Sequence, residues 1–144
     1  MKFYEAAATI EASPEVVWSV LKDGPTYSTW DSGVERVEGS IASGKRIKVH
    51  SEVSPGRVFP VKVHLEEAGG TMTWTGGLPL GLFRGVRTFT VTPTKDGRTE
   101  FKMREEFIGP LLGLIWRSMP DLAPSFDQFA AALKVRVEQP TRDT

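Results

Sequence analysis

The sequence predicts an α+β domain in which a strongly curved antiparallel sheet wraps round one C-terminal helix. Three observations carry that reading. From Gly33 to about residue 108, apolar residues recur with a period of two in runs separated by Gly, Pro, Ser or Asp, as short antiparallel connections require. After Gly109-Pro110 the period changes to three or four, and Leu122, Phe126, Phe129 and Leu133 form a stripe at spacings of four, three and four. The long strands are amphipathic and need cover on one face, and that terminal stripe is the only element long and apolar enough to supply it.

The elements follow in order. Residues 3–11 alternate weakly and read as an edge-like first strand. Ser13-Pro14-Glu15 then supplies an N-cap, a proline at the first helical position and an acid in the first turn. Val17, Trp18 and Leu21 make a short amphipathic helix that ends near Asp23-Gly24-Pro25, and a second helical turn carries Tyr27 and Trp30. Six strands are expected at residues 34–41, 45–53, 58–67, 71–75, 83–94 and 98–108, which with the first makes seven. Leu111, Leu112, Leu114, Ile115 and Trp116 read as a short apolar helix or turn. Pro120 and Pro124 predict a break before the last helix. Asp127, Gln128, Lys134 and Arg136 occupy its polar face, and residues 139–144 read as a frayed tail. With no internal repeat, linker or low-complexity stretch, residues 1–144 are expected to form one domain.

Two of the strands each set one charge among apolar residues on the face that should be interior. Side chains alternate faces along a strand, so Arg87 shares a face with Phe83, Phe89 and Val91, and Glu105 shares one with Phe101, Met103 and Phe107. Between them Thr94-Lys95-Asp96-Gly97-Arg98 suits a three-residue loop with Gly97 in the left-handed conformation. Closing it with Thr94 opposite Arg98 sets Val91 beside Phe101, Phe89 beside Met103, and Arg87 across from Glu105. A two-residue Asp96-Gly97 turn would slip the register by one and oppose apolar to polar residues. The expected result is an ion pair facing an interior, and interiors that tolerate one usually contain water or a ligand.

Composition narrows the class further. Eighteen basic and eighteen acidic residues among 144 leave no net charge, so an overall basic field that would recruit nucleic acid or anionic lipid is absent, which leaves room only for a local patch. The absence of cysteine removes disulfides, thiolate nucleophiles and sulfur-ligated metals. The N-terminus begins a strand and lacks the apolar run of a signal peptide, and no segment approaches a membrane span. A cytoplasmic protein without membrane insertion is expected.

Several landmarks are similar to those of a known superfamily. Ile10-Glu11-Ala12-Ser13-Pro14-Glu15-Val16-Val17-Trp18, followed by Leu21, Asp23, Tyr27, Trp30 and Val34, resembles the opening of the START-like (SRPBCC) superfamily. That group includes polyketide cyclase/dehydrase and lipid-transport proteins and the birch-pollen-allergen relatives. Trp74-x-Gly76, Gly81-Leu82-Phe83-x-Gly85, Glu105-x-Phe107-x-Gly109 and Phe126-x-x-Phe129-x-x-x-Leu133-Lys134 resemble its later landmarks. The resemblance spans almost the whole chain and implies a helix-grip fold with a cavity. It does not choose an activity, because one fold hosts carriers, receptors and cyclases alike.

Candidate site residues each have a plainer reading. Arg87 and Glu105 would fix the polar group of a ligand in a greasy pocket, or else satisfy one another as a structural pair. Met72, Phe89, Met103 and Phe126 are ligand-lining candidates that ordinary core would also explain. Trp74 and Trp30 are better pocket candidates, since each indole needs a partner for its N–H. Trp74 precedes Gly76-Gly77-Leu78-Pro79-Leu80-Gly81, which reads as a flexible lip. Ser51, on the face of Val49 and Val53, is a further polar contact or simply bonds a carbonyl. His50 and His64 share faces with Lys48 and Lys62 and point to solvent. No histidine pair or carboxylate cluster has ligand spacing, so no metal is expected, and no cofactor. Serine-nucleophile and phosphate-cradle motifs are missing, and Lys45-Arg46-x-Lys48 reads as the solvated face of one strand.

The leading expectation is a binding module that holds a mostly apolar small molecule (lipid, polyketide or aromatic) without turnover. A cyclase/dehydratase in which Glu105 moves a proton and Arg87 stabilises an enolate is the alternative. It ranks second because a glutamate salt-bridged to a guanidinium makes a poor base. A protein–protein adaptor, suggested by Leu78, Leu80 and Leu82 in the lip, is the third.

Overall fold

The computed structural model describes residues 1–139. Seven strands form one antiparallel sheet in the order β1-β7-β6-β5-β4-β3-β2. They are β1 (Lys2–Ile10), β2 (Val34–Glu38), β3 (Arg46–Ser51), β4 (Val58–Glu66), β5 (Thr71–Leu78), β6 (Phe83–Pro93) and β7 (Thr99–Ile108). Helix α1 (Pro14–Leu21) and a 3-10 helix (Gly24–Thr29) separate β1 from β2, and α2 (Leu112–Ser118) and α3 (Ala123–Glu138) follow β7. This is the helix-grip arrangement, with α3 held against the concave face. No helix of the described residues is long and apolar enough to cross a membrane.

The β6–β7 hairpin has the expected register. Val91 pairs with Phe101, Phe89 with Met103 and Arg87 with Glu105. Its loop closes through the Thr94 amide, which donates to the Arg98 carbonyl at 2.9 Å, while Gly97 takes φ 85°. The Thr94 hydroxyl adds a bond to the Asp96 carboxylate, which holds that carboxyl below the usual carboxylate range.

The first strand lies at the sheet edge, as its weak alternation suggests, but it pairs along its whole length with β7. Concave-facing Ala6 and Ile10 are buried there. Val17, Trp18 and Leu21 of α1 are buried. Ser13 caps that helix through its carbonyl alone, accepting from the Val16 and Val17 amides, and its hydroxyl makes no cap bond. Along α3 the stripe of Phe126, Phe129 and Leu133 is buried and extends to Ala130 and Val137. Leu122 sits half-buried at the N-cap, and the break falls where Pro120 requires it, between Ser118 and Ala123.

Two expectations need correction. The 76–81 segment is not a loop: Gly76, Gly77 and Leu78 continue β5 against Gly85, Arg84 and Phe83, and only Pro79–Gly81 turns as a 3-10 helix. Two facing glycines, Gly76 and Gly85, let the strands pair past the point where composition suggested a break. Strands β2 and β3 are shorter than expected, ending at Glu38 and Ser51, so Val53 lies outside the sheet. The frayed tail expected for residues 139–144 falls, from residue 140 on, outside the described residues.

Candidate ligand-binding site

Register alone brings a polar pair into the grip. Trp74 pairs with Arg87, Arg87 with Glu105, and Glu105 with Tyr4. Four neighbouring strands thus place Trp74, Arg87, Glu105 and Tyr4 in one row across the concave face. Arg87 Nε donates to Glu105 Oε1 at 2.7 Å. The Arg87 guanidinium also lies over the Phe126 ring of α3, 4.8 Å from its centroid, where a cation is attracted to the aromatic face. Both charged side chains keep some contact with water, at 22% and 17% exposure.

Gly85 makes room for this pair. A Cβ there would meet Glu105 Oε2 at 2.8 Å and the Phe107 ring at 3.4 Å. Any side chain at that position would displace the carboxylate from beneath the guanidinium.

The pair divides two aromatic clusters. On the inner side Tyr27 lies 5.3 Å from Trp30, 6.2 Å from Trp74 and 6.0 Å from Phe129, ring centre to ring centre. Trp74 meets Phe89 edge-on at 4.9 Å. On the outer side Tyr4 stacks on Trp116 of α2 at 5.4 Å and approaches Phe126 at 5.6 Å. Phe107 sits between Phe83 and Trp116 at 6.0 and 5.8 Å. The inner cluster is solid core. In the outer one Tyr4, Phe83 and Trp116 are half-buried.

This packing sorts the candidate residues. Met72, Phe89, Met103 and Phe126 are buried core positions. Trp30 and Trp74 are 6% and 3% exposed, so the deep part of the wedge between sheet and helix is filled by side chains. Neither indole Nε1–H has a partner among the described residues, a condition that costs about 1–3 kcal/mol for a buried donor. Ser51 is half-buried on the face of Ile47 and Val49. It stands three strands from β6, roughly 14 Å across the sheet, and is not brought to the pair.

Sequence reasoning missed Tyr4, Tyr27, Phe83, Phe107, Trp116 and Gly85 as parts of this site. Tyr27 carried a usable signal, an aromatic followed three residues later by Trp30. Burial pushes the pKa of its hydroxyl well up, with Arg87 pulling the other way. The neutral phenol donates to the Leu21 carbonyl at 2.5 Å and ties the 3-10 helix to α1.

The histidines lie on the convex face. His50 is half-buried beside the Glu38 carboxylate at 2.7 Å, and exposed His64 is 3.1 Å from Glu66. Among the described residues no group of three or more His, Asp or Glu side chains could hold a metal ion.

The family model described as polyketide cyclase / dehydrase and lipid transport matches residues 2–138. The chain belongs to that family. Its fold is also that of several solved structures. The Zhui aromatase/cyclase from Streptomyces sp. R1128 superposes with a TM-score of 0.74 at 15% identity, covering 95% of this chain and 93% of that one. A START superfamily protein from Mycobacterium smegmatis gives a TM-score of 0.67 at 17% identity, with 94% and 97% covered. Norcoclaurine synthase from Thalictrum flavum, in complex with dopamine and hydroxybenzaldehyde, gives 0.69 at 18%, with 98% and 89% covered. At these identities the likeness speaks for the fold alone. No curated protein matches the sequence.

Proposed function

We propose that the protein binds a mostly apolar small molecule at the open end of the grip, without turning it over. The observation that carries this reading is the Arg87–Glu105 pair, held at 2.7 Å inside the concave face yet still touched by solvent. Desolvation makes an inward pair costly unless it is fully bonded, and this one keeps an edge open to water. This one lies between a solid aromatic core and a half-open aromatic ring of Tyr4, Phe83 and Trp116, where few polar groups among many apolar ones would orient a ligand. Trp74, the cross-strand partner of Arg87, belongs to the closed inner side of this arrangement and forms the floor behind the pair rather than a ligand contact.

The second reading, a cyclase or dehydratase, is favoured by the family and by the fold shared with an aromatase/cyclase and with norcoclaurine synthase. Glu105 and Arg87 would be its residues. Glu105 Oε1 already accepts from the Arg87 Nε–H at 2.7 Å, so a proton moved onto that oxygen would weaken the pair. Binding without turnover therefore ranks first. An adaptor role would rest on Leu78, Leu80 and Leu82, of which Leu80 is 95% exposed.

Native mass spectrometry of the protein as purified, followed by titration with apolar fluorescent probes, tests the reading. A co-purifying molecule, or a probe whose binding weakens in Glu105→Gln while no product forms, is the expected result. Product formation by the wild type that falls far more than binding in Glu105→Gln would establish the enzyme instead. Failure of every probe to bind would remove both.

A further inference from the structure

On the convex face of the same sheet, opposite the grip, a groove of about 630 Å³ runs over β3, β4, β5 and β6. Arg46, Lys62, His64 and Arg84 line it with the hydroxyls of Ser43 and Thr75, and no acid is among the lining residues. For a chain with no net charge, this is a concentrated positive field.

The pairing makes the concentration costly. Arg46 and Lys62 are direct cross-strand partners, and like charges set opposite one another destabilise a sheet. Lys62 pairs in turn with Thr75, and Arg84 with Gly77 two residues further along β5. Among the described ion pairs none involves Arg46, Lys62 or Arg84. The other end of the face is arranged differently. There Glu5 accepts from Arg104 at 3.0 Å and lies 3.3 Å from Lys102, and Arg104 also bonds Glu106 at 2.8 Å. Bases there are neutralised, whereas Arg46, Lys62 and Arg84 of the groove are not. Among the groove's lining bases His64 alone has an acid beside it, Glu66 at 3.1 Å.

We propose that this groove is an anion site for a phosphate group carrying two or more negative charges, as in a phosphate ester or diphosphate. Two guanidinium groups and an ammonium line the one groove, where such a group would neutralise the opposed pair, and Arg recognises phosphate with paired donors. The Ser43 hydroxyl accepts from the Leu65 amide at 3.0 Å and keeps its own proton for an oxygen in the groove. Thr75 presents a second hydroxyl from the facing strand. The volume is ample for a diphosphate and leaves space for the group it is attached to. This inference concerns the opposite side of the sheet and is independent of the apolar site.

Calorimetric titration of the whole protein with inorganic pyrophosphate in low-salt buffer tests it. Saturable binding is expected, weakened by added salt. Each of Arg46→Gln, Lys62→Gln and Arg84→Gln should lower affinity on the order of tenfold, and Lys62→Glu more. Arg36→Gln, on β2 outside the groove, should leave it unchanged. All three groove positions are exposed, so the variants should fold, which circular dichroism will verify. Flotation with vesicles doped with phosphatidic acid separates the sources of the phosphate. Retention of wild type but not the triple variant assigns a lipid headgroup, whereas pyrophosphate binding alone assigns a soluble phosphate. Binding of neither, or equal binding by wild type and the triple variant, overturns the proposal.

Discussion

Arg84 and Arg87 stand three residues apart on one strand and live in opposite regimes. Arg87 points into the grip, where its charge is paired at 2.7 Å and covered by Phe126. Arg84 points outward into a groove lined by other bases, with no carboxylate among the lining residues. The two faces of the sheet make different demands on a charge. An inward charge left alone carries a desolvation penalty that only a counter-ion offsets. An outward charge is solvated, so the sheet can leave it unpaired and available.

The largest effect that would sharpen this contrast comes from the ring over Arg87. Phe126→Ala should cost roughly 3–5 kcal/mol in urea unfolding, because it opens a cavity in the core and uncovers the guanidinium. A much smaller loss would place that ring beside solvent rather than in core. Next comes the counter-ion. Glu105→Gln should cost roughly 2–4 kcal/mol, toward the lower part of what a broken buried pair loses, since both partners touch water. Replacing both together, Arg87→Met with Glu105→Leu, should recover most of that stability. A double variant as unstable as the single one would show that the pair is needed for more than mutual neutralisation.

Gly85→Ala acts on the same pair from beneath. Its new methyl would push the Glu105 carboxylate aside, and a loss of about 1–3 kcal/mol is expected, as for an overpacked core. The variant should also bind apolar probes differently from wild type, and an unaltered affinity would separate the pair from the ligand site. The smallest effect belongs to the other face. Arg84→Gln should change stability by no more than about 0.5 kcal/mol in either direction. A loss as large as that of Glu105→Gln would collapse the comparison between the two arginines.

How much of this was readable depended on chain distance. The Arg87–Glu105 contact was readable because a three-residue loop joins its strands, and only one register lets the apolar residues of both face inward. The place of Tyr4 beside Glu105 was not, because β1 and β7 are separated by most of the chain and no turn sets their register. The same holds for the basic groove. Lys45-Arg46-x-Lys48 was visible as one basic strand face, but Lys62 and Arg84 join Arg46 only through pairing over β3–β6.

Periodicity and turn chemistry act between near neighbours, so the α+β class, the seven strands, the covering helix and the inward ion pair could be read along the chain. Tertiary structure decided what fills the space between sheet and helix. Six rings meet there from five separate elements: Tyr27 and Trp30 from the 3-10 helix and its C-cap, Trp74, Phe89 and Phe101 from β5, β6 and β7, and Phe129 from α3. Each needed only to be apolar to satisfy its own local pattern. Whether together they leave a cavity or close one depends on their summed volume and relative placement, and that is a property of the assembled fold.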